Sequence, residues 1–205
     1  MPSLVRSFQG IVLSREDKGE RNLFLSMFSP KEGLVRVIKH LSGKRVSAPM
    51  PDFFDELELR LRRPRTGGES ISFVEEWRVL RRRPELAADR ERLEAAFSIG
   101  RVFIENGSHL IEPAPYAELL QLSLDALSRG FPPSVVLMKT IYRFARAEGF
   151  PVKEDWWENL SLEDRALATK ILNVPVRDLV PDNESSVPLL ESLRTWINTE
   201  TEMRC

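Results

Sequence analysis

The spacing of apolar residues changes once along the chain, at Arg81-Arg82-Arg83-Pro84. Before this segment apolar residues recur at every second position, as in half-buried strands, and after it they recur every three or four positions, as in amphipathic helices. A chain with strands in one part and helices in the other belongs to the α+β class. We therefore predict a β-domain over residues 1–82 and an all-α helical bundle over residues 83–205.

Five short strands are predicted in the first domain. The clearest one has Leu57, Leu59 and Leu61 alternating with charged residues, and the last one has a break near Glu75 that indicates a bulge. Because closure removes exposed edges, five strands joined mostly by tight turns favour a small closed barrel. The apolar residues of the predicted fifth strand are Ile71, Phe73, Trp77 and Val79.

About five helices are predicted in the second domain. The first helix is expected to open at Pro84 and to end at Asn106-Gly107, and Ser161-x-x-Asp164 resembles a capping box before a later helix. The adjacent Trp156-Trp157 is interpreted as an anchor for a loop. The predicted inward face of the first helix consists of Leu86, Leu93, Phe97, Gly100, Phe103 and Ile104.

Motifs typical of enzymes are missing from the sequence. His40 and His109 lie in no metal-binding spacing, and the sequence has no phosphate-binding loop and no nucleophile elbow. The one cysteine, Cys205, can form neither an internal disulfide nor a cysteine-built zinc site. We expect no catalytic residue, no metal and no cofactor. No segment approaches the roughly 20 apolar residues of a membrane span, so we expect a cytoplasmic protein without a membrane partner.

The basic residues of the β-domain provide the strongest binding signal. Residues 1–84 carry 17 Lys and Arg against 11 Asp and Glu, whereas residues 85–205 carry 13 against 20. This split is compatible with a polyanion-binding part and equally with chance variation of solvated surfaces. The candidate DNA-binding residues lie at strand ends and in loops: Arg15, Lys18, Arg21, Lys31, Arg36, Lys39, Lys44 and Arg45. The phenylalanines are interpreted as core residues instead of base-stacking residues: Phe8, Phe24, Phe28, Phe53 and Phe54.

Several segments also follow an order that we recognise. They are Phe8-Gln9-Gly10-Ile11-Val12-Leu13, the turn Lys18-Gly19-Glu20-Arg21, the strand segments 25–29 and 32–37, and helices like 84–105 and 133–147, the latter ending in Gly149-Phe150. This order resembles the RecO family of bacterial recombination mediators. The resemblance implies an oligonucleotide/oligosaccharide-binding (OB) barrel followed by a helical domain.

The resemblance also implies a function in DNA repair through the RecF pathway. A protein of this family binds single- and double-stranded DNA, anneals complementary strands, and works with RecR to load RecA on DNA coated by the single-strand DNA-binding protein, SSB, in the nucleoid. The family's basic strand-to-loop region corresponds to Arg36, Lys39, Lys44 and Arg45. For the acidic SSB tail, which ends in Phe, the candidate residues share one helix face: Lys139, Tyr142, Arg143 and Arg146.

Two departures from the family leave alternatives open. The loop over residues 39–45 has fewer cations than is usual, and residues 151–157 stand where many members carry a four-cysteine zinc insertion, so no zinc module is expected. One alternative is a RecO-like protein adaptor with weak or no DNA binding. Another is an RNA-binding OB-fold protein.

Overall fold

The computed structural model describes residues 5–19, 21–41, 49–62, 72–179 and 183–205. These residues form two compact units. The barrel unit comprises those within 1–83 together with Gly107–Glu118, and the helical unit comprises those within 84–106 and Leu119–Cys205. Each unit has its own buried core.

The barrel unit contains five strands: β1 (Val5–Lys18), β2 (Asn22–Ser29), β3 (Gly33–His40), β4 (Glu56–Arg62) and β5 (Ser72–Arg81). They form a closed barrel in the order β1-β2-β3-β5-β4, and β1 pairs with β4 to complete it. All pairs are antiparallel except β3 with β5, which is parallel. The prediction of a five-stranded closed barrel followed by helices is confirmed.

The barrel is filled by the inward residues of its alternating strands. Leu57, Leu59 and Leu61 are buried on β4, as the sequence pattern predicts, and Leu23 and Leu25 face them from β2 within one apolar cluster. Each such side chain contributes about 1.5–3 kcal/mol relative to its exposed state. This packing fixes which residues of each strand point outward.

A bulge changes the phase of β5. Its pairing with β4 uses Val74 and Glu76 but skips Glu75, which confirms the predicted bulge. Because the extra residue shifts the alternation, Val74 is buried and Phe73 is 45% exposed. Phe73 therefore points away from the barrel core.

The helical unit contains most of five helices: α1 (Arg90–Asn106), α2 (Ala114–Ser128), α3 (Pro133–Ala147), α4 (Leu162–Asn173) and α5 (Asn183–Glu200). Short 3-10 turns lie at Pro84–Ala88 and Val176–Asp178. Buried α3 packs against α1 and α5, with Phe103 and Phe144 in edge-to-face contact at 5.2 Å. The Ser161 hydroxyl accepts from the Asp164 N–H, which confirms the predicted cap.

The start of α1 differs from its prediction. Pro84 opens the 3-10 turn, and the α-helix begins after Asp89, whose carboxylate accepts from the Arg92 N–H at 2.9 Å. Phe97 is 39% exposed, so its inward assignment is wrong. At that turn of the helix the buried residues are Ala95 and Ala96, and the buried face continues with Ile99, Gly100, Val102 and Phe103.

Within the described ranges, no helix is long and apolar enough to cross a membrane. Nor do three His, Cys, Asp or Glu side chains of these ranges lie together as a metal site would require.

Candidate functional site

One row of outward residues crosses four strands of the barrel and reaches the fifth. In register, Glu16 of β1 pairs with Phe24 of β2, Phe24 with Ile38 of β3, Ile38 with Phe73 of β5, and Phe73 with Arg62 of β4. Directly paired residues lie on the same face of a sheet. We call these five residues the outer row.

The neighbours of the outer row establish that it faces outward. Successive residues of a strand point to opposite faces, and the apolar cluster inside the barrel contains Leu23 and Leu25 on either side of Phe24. It likewise contains Val37, which precedes Ile38, and Val74, which follows Phe73.

The centre of the outer row is apolar and accessible. Phe24 and Ile38 are half-buried and Phe73 is exposed. The prediction that Phe24 and Phe53 are core residues is therefore wrong, since Phe24 is only half-buried and Phe53 is 36% exposed. The remaining phenylalanines of that assignment are buried as predicted: Phe8, Phe28 and Phe54.

Cations surround this apolar centre. The Lys18 ammonium lies 4.9 Å from the centre of the Phe24 ring, and Arg62 ends the row. Arg36 lies two residues before Ile38 on the same face of β3, and Arg21 is exposed in the turn between β1 and β2. Among the residues that the structure describes, none of these three arginines forms an ion pair.

The only carboxylate of the row is already paired. The Glu16 carboxylate lies 3.3 Å from the Lys18 ammonium. On the neighbouring outward surface of β4 and β5, by contrast, Arg60 pairs with Glu76 at 3.0 Å and Arg78 with Glu58 at 2.9 Å. That second surface is locally neutral, so positive charge without acidic partners concentrates around the outer row.

Two predicted DNA-binding residues have their side chains engaged inside the barrel unit. Lys39 shares the inward face of β3 with Val37; its ammonium donates to the Glu75 carbonyl and lies 5.5 Å from the Trp77 ring centre. The Arg15 guanidinium donates to the Pro51 carbonyl at 2.9 Å. We place both outside the interface.

The other predicted cations differ in their positions. Lys18, Arg21 and Arg36 border the outer row, whereas Lys31 is exposed in the turn between β2 and β3, at the other end of those strands from Arg21. Lys44 and Arg45 lie outside the described residues. Sequence reasoning did not predict that Phe24 and Phe73 lie in one surface row, because only the cross-strand register brings them together.

The helical unit has a groove of about 740 Å³. Of the four predicted SSB-tail residues, the groove gathers three, Tyr142, Arg143 and Arg146, and the Arg146 guanidinium lies 5.8 Å from the Tyr142 ring centre. Lys153 and Trp157 also line it and were missed. The preceding Trp156 is buried and donates to the Ser192 hydroxyl at 3.1 Å, which agrees with the predicted anchoring role.

The fourth predicted residue, Lys139, is buried and does not line the groove. Its ammonium donates to the Ile171 carbonyl at 2.5 Å and the Val174 carbonyl at 2.7 Å. Burial, together with the Arg143 guanidinium, lowers the pKa of Lys139 to about 8. Lys139 thus fixes the end of α4, which supplies Leu172 to the groove wall.

Comparisons with protein-family models and with curated proteins give no match to this chain. The functional argument therefore depends on the geometry of the outer row and the groove.

Proposed function

We propose that this protein is a RecO-like DNA repair and recombination mediator and that its barrel unit binds DNA across the outer row. The observation that carries this proposal is the row itself, an accessible apolar centre bordered by cations. The closed barrel of five strands supports an OB-type fold, because OB folds are five-stranded barrels. OB folds bind oligonucleotides on the face of strands 2 and 3, and the outer row crosses both of these strands.

Phosphate contacts would supply most of the affinity. Lys18, Arg21, Arg36 and Arg62 are all exposed, so each can approach a phosphate without leaving a buried position. Neutralised phosphates release counterions, and this release favours binding. Neutralisation also reduces repulsion between two strands, which supports the annealing activity of the proposal.

The groove of the helical unit is the proposed site for the SSB tail. Three cations, Arg143, Arg146 and Lys153, border it together with Tyr142 and Trp157. An acidic peptide that ends in an aromatic residue would find both charge and apolar contact there. With RecR, such a protein would help to load RecA on SSB-coated single-stranded DNA.

The test of DNA binding is fluorescence anisotropy of a labelled single-stranded oligonucleotide at 50 and 200 mM salt. With four phosphate contacts, the logarithm of the association constant should fall with the logarithm of the salt concentration with a slope of about −2.8. The affinity should therefore decrease about 50-fold between 50 and 200 mM salt. The variant R36Q/R62Q should halve the slope, which leaves about a 7-fold loss. The control R60Q/R78Q removes the same charge from the neutral surface and should retain the wild-type slope.

Each alternative has its own outcome in this assay. If no oligonucleotide binds at 50 mM salt but an acidic peptide ending in Phe still binds in the groove, the protein-adaptor alternative would replace the mediator proposal. Tighter binding of RNA than of DNA of the same sequence would favour the RNA-binding barrel, because only the 2′-hydroxyl distinguishes the two backbones.

A further inference from the structure

Phosphate binding alone does not account for the apolar centre of the outer row. Cations suffice for phosphates, yet the row brings Phe24, Ile38 and Phe73 together on a surface and leaves Phe73 45% exposed. A ligand for this surface needs flat apolar groups as well as negative charge.

The positions of the two rings suit a chain of such groups. Neighbouring strands lie about 4.8 Å apart, and Ile38 of β3 separates Phe24 of β2 from Phe73 of β5. Two strand spacings therefore separate the residues that carry the rings, about 10 Å at the backbone. Arg36 lies beside this line and Arg62 lies at its end, where both can reach a backbone that connects the flat groups.

We propose that the outer row is a base-stacking platform, on which unpaired nucleobases of a single strand stack on Phe24 and Phe73. Lys18, Arg36 and Arg62 hold the adjacent phosphates. This inference rests on the proposed function and extends it, since it assigns the apolar centre to the bases. Stacking on aromatic side chains tolerates any sequence because every base has a π-face. A duplex hides those faces, so the platform selects single strands.

Charge complementarity favours nucleic acid over a protein segment as the occupant. The row has one carboxylate, Glu16, and its partner Lys18 also lies over the Phe24 ring. Exposed ion pairs contribute little, about 0–1 kcal/mol. Lys18 can therefore leave the ring for a phosphate when a base takes its place.

The experiment compares two labelled 12-mers with equal numbers of phosphates, oligothymidine and a strand of abasic sites, by anisotropy at 50 mM salt. Stacking of one base on one ring corresponds to about a 5- to 150-fold gain in affinity. The wild-type protein should therefore bind oligothymidine at least 5-fold more tightly than the abasic strand. The variants F24L and F73L keep apolar volume but lose the ring, and each should reduce this preference. F53L removes an exposed ring of the barrel unit that does not belong to the row and should leave the preference unchanged. Thermal unfolding verifies that all three variants fold.

The outcomes separate this inference from the proposed function. Equal binding of both strands, still weakened by R36Q/R62Q, would overturn the platform and leave DNA binding intact. Absence of binding to either strand would overturn the proposed function itself. A third outcome is that the wild-type protein binds neither strand and self-associates in sedimentation, with F73L abolishing the self-association. This result would assign the row to contact with a second copy of the chain and overturn the platform.

Discussion

Lys139 provides a test of the groove's architecture that requires no ligand. Its side chain is only 6% exposed, and its ammonium lies between the carbonyls of Ile171 and Val174 at the end of α4. The substitution Lys139→Met removes the titrating group and retains an unbranched chain. Its effect on stability should therefore depend on pH.

The magnitude follows from the pKa. Lowering the Lys139 pKa from 10.5 to about 8 corresponds to about 3 kcal/mol, at about 1.4 kcal/mol per tenfold change in proton affinity. Between these two pH values the folded chain has released the proton that the unfolded chain still holds, so stability increases with pH. We expect the wild type to gain about 2.5 kcal/mol relative to K139M between pH 7 and pH 10.

Urea unfolding of both proteins at pH 7 and pH 10 measures this difference. The matched control is K170M, which changes an exposed lysine of α4 in the same way. A difference between wild type and K139M that stays constant, or that moves in favour of K139M at pH 10, would refute the burial of Lys139.

The remaining predictions concern the elements that support both surfaces. Gly10→Ala should destabilise the barrel by about 1–3 kcal/mol in urea unfolding, because a Cβ at Gly10 would meet the Phe28 carbonyl oxygen at 2.8 Å; unchanged stability would contradict the β1–β2 pairing. Leu59→Ala should cost about 2–5 kcal/mol in the same assay, and a loss below 1 kcal/mol would place Leu59 outside the core. Ser161→Ala should cost about 1 kcal/mol, since it removes the hydroxyl that caps Asp164. Thermal unfolding tests this cap, with Ser161→Asp as the variant that should retain it.

The sequence predicted the secondary-structure elements better than it predicted the site. The alternation of apolar and charged residues predicted correctly that Leu57, Leu59 and Leu61 lie inside the barrel, because this pattern lies within the single strand β4. The outer row spans five strands, and its members are brought together by registers that no local pattern encodes. The bulge at Glu75 illustrates the limit, since the sequence located it but did not show that it turns Phe73 outward.

Lys139 and Lys39 show a second limit. A lysine in a predicted strand or helix reads as a solvated charge, because buried ammonium groups are rare. Here Lys39 falls on the inward side of β3, and Lys139 lies on a helix that is buried on nearly all sides. Each finds backbone carbonyls from another element. These partners are distant in sequence, so tertiary packing alone determines where the two side chains lie.

The most direct test of nucleic-acid binding at the outer row is photo-crosslinking with a single-stranded oligonucleotide that carries 5-iodouracil. Bases stacked on the row should crosslink to Phe24 or Phe73, which mass spectrometry would find in the tryptic peptides 22–31 and 66–78. R36Q/R62Q should reduce the yield at 200 mM salt, and an unlabelled strand should compete. Crosslinks confined to the helical unit, or none to either peptide, would contradict the account.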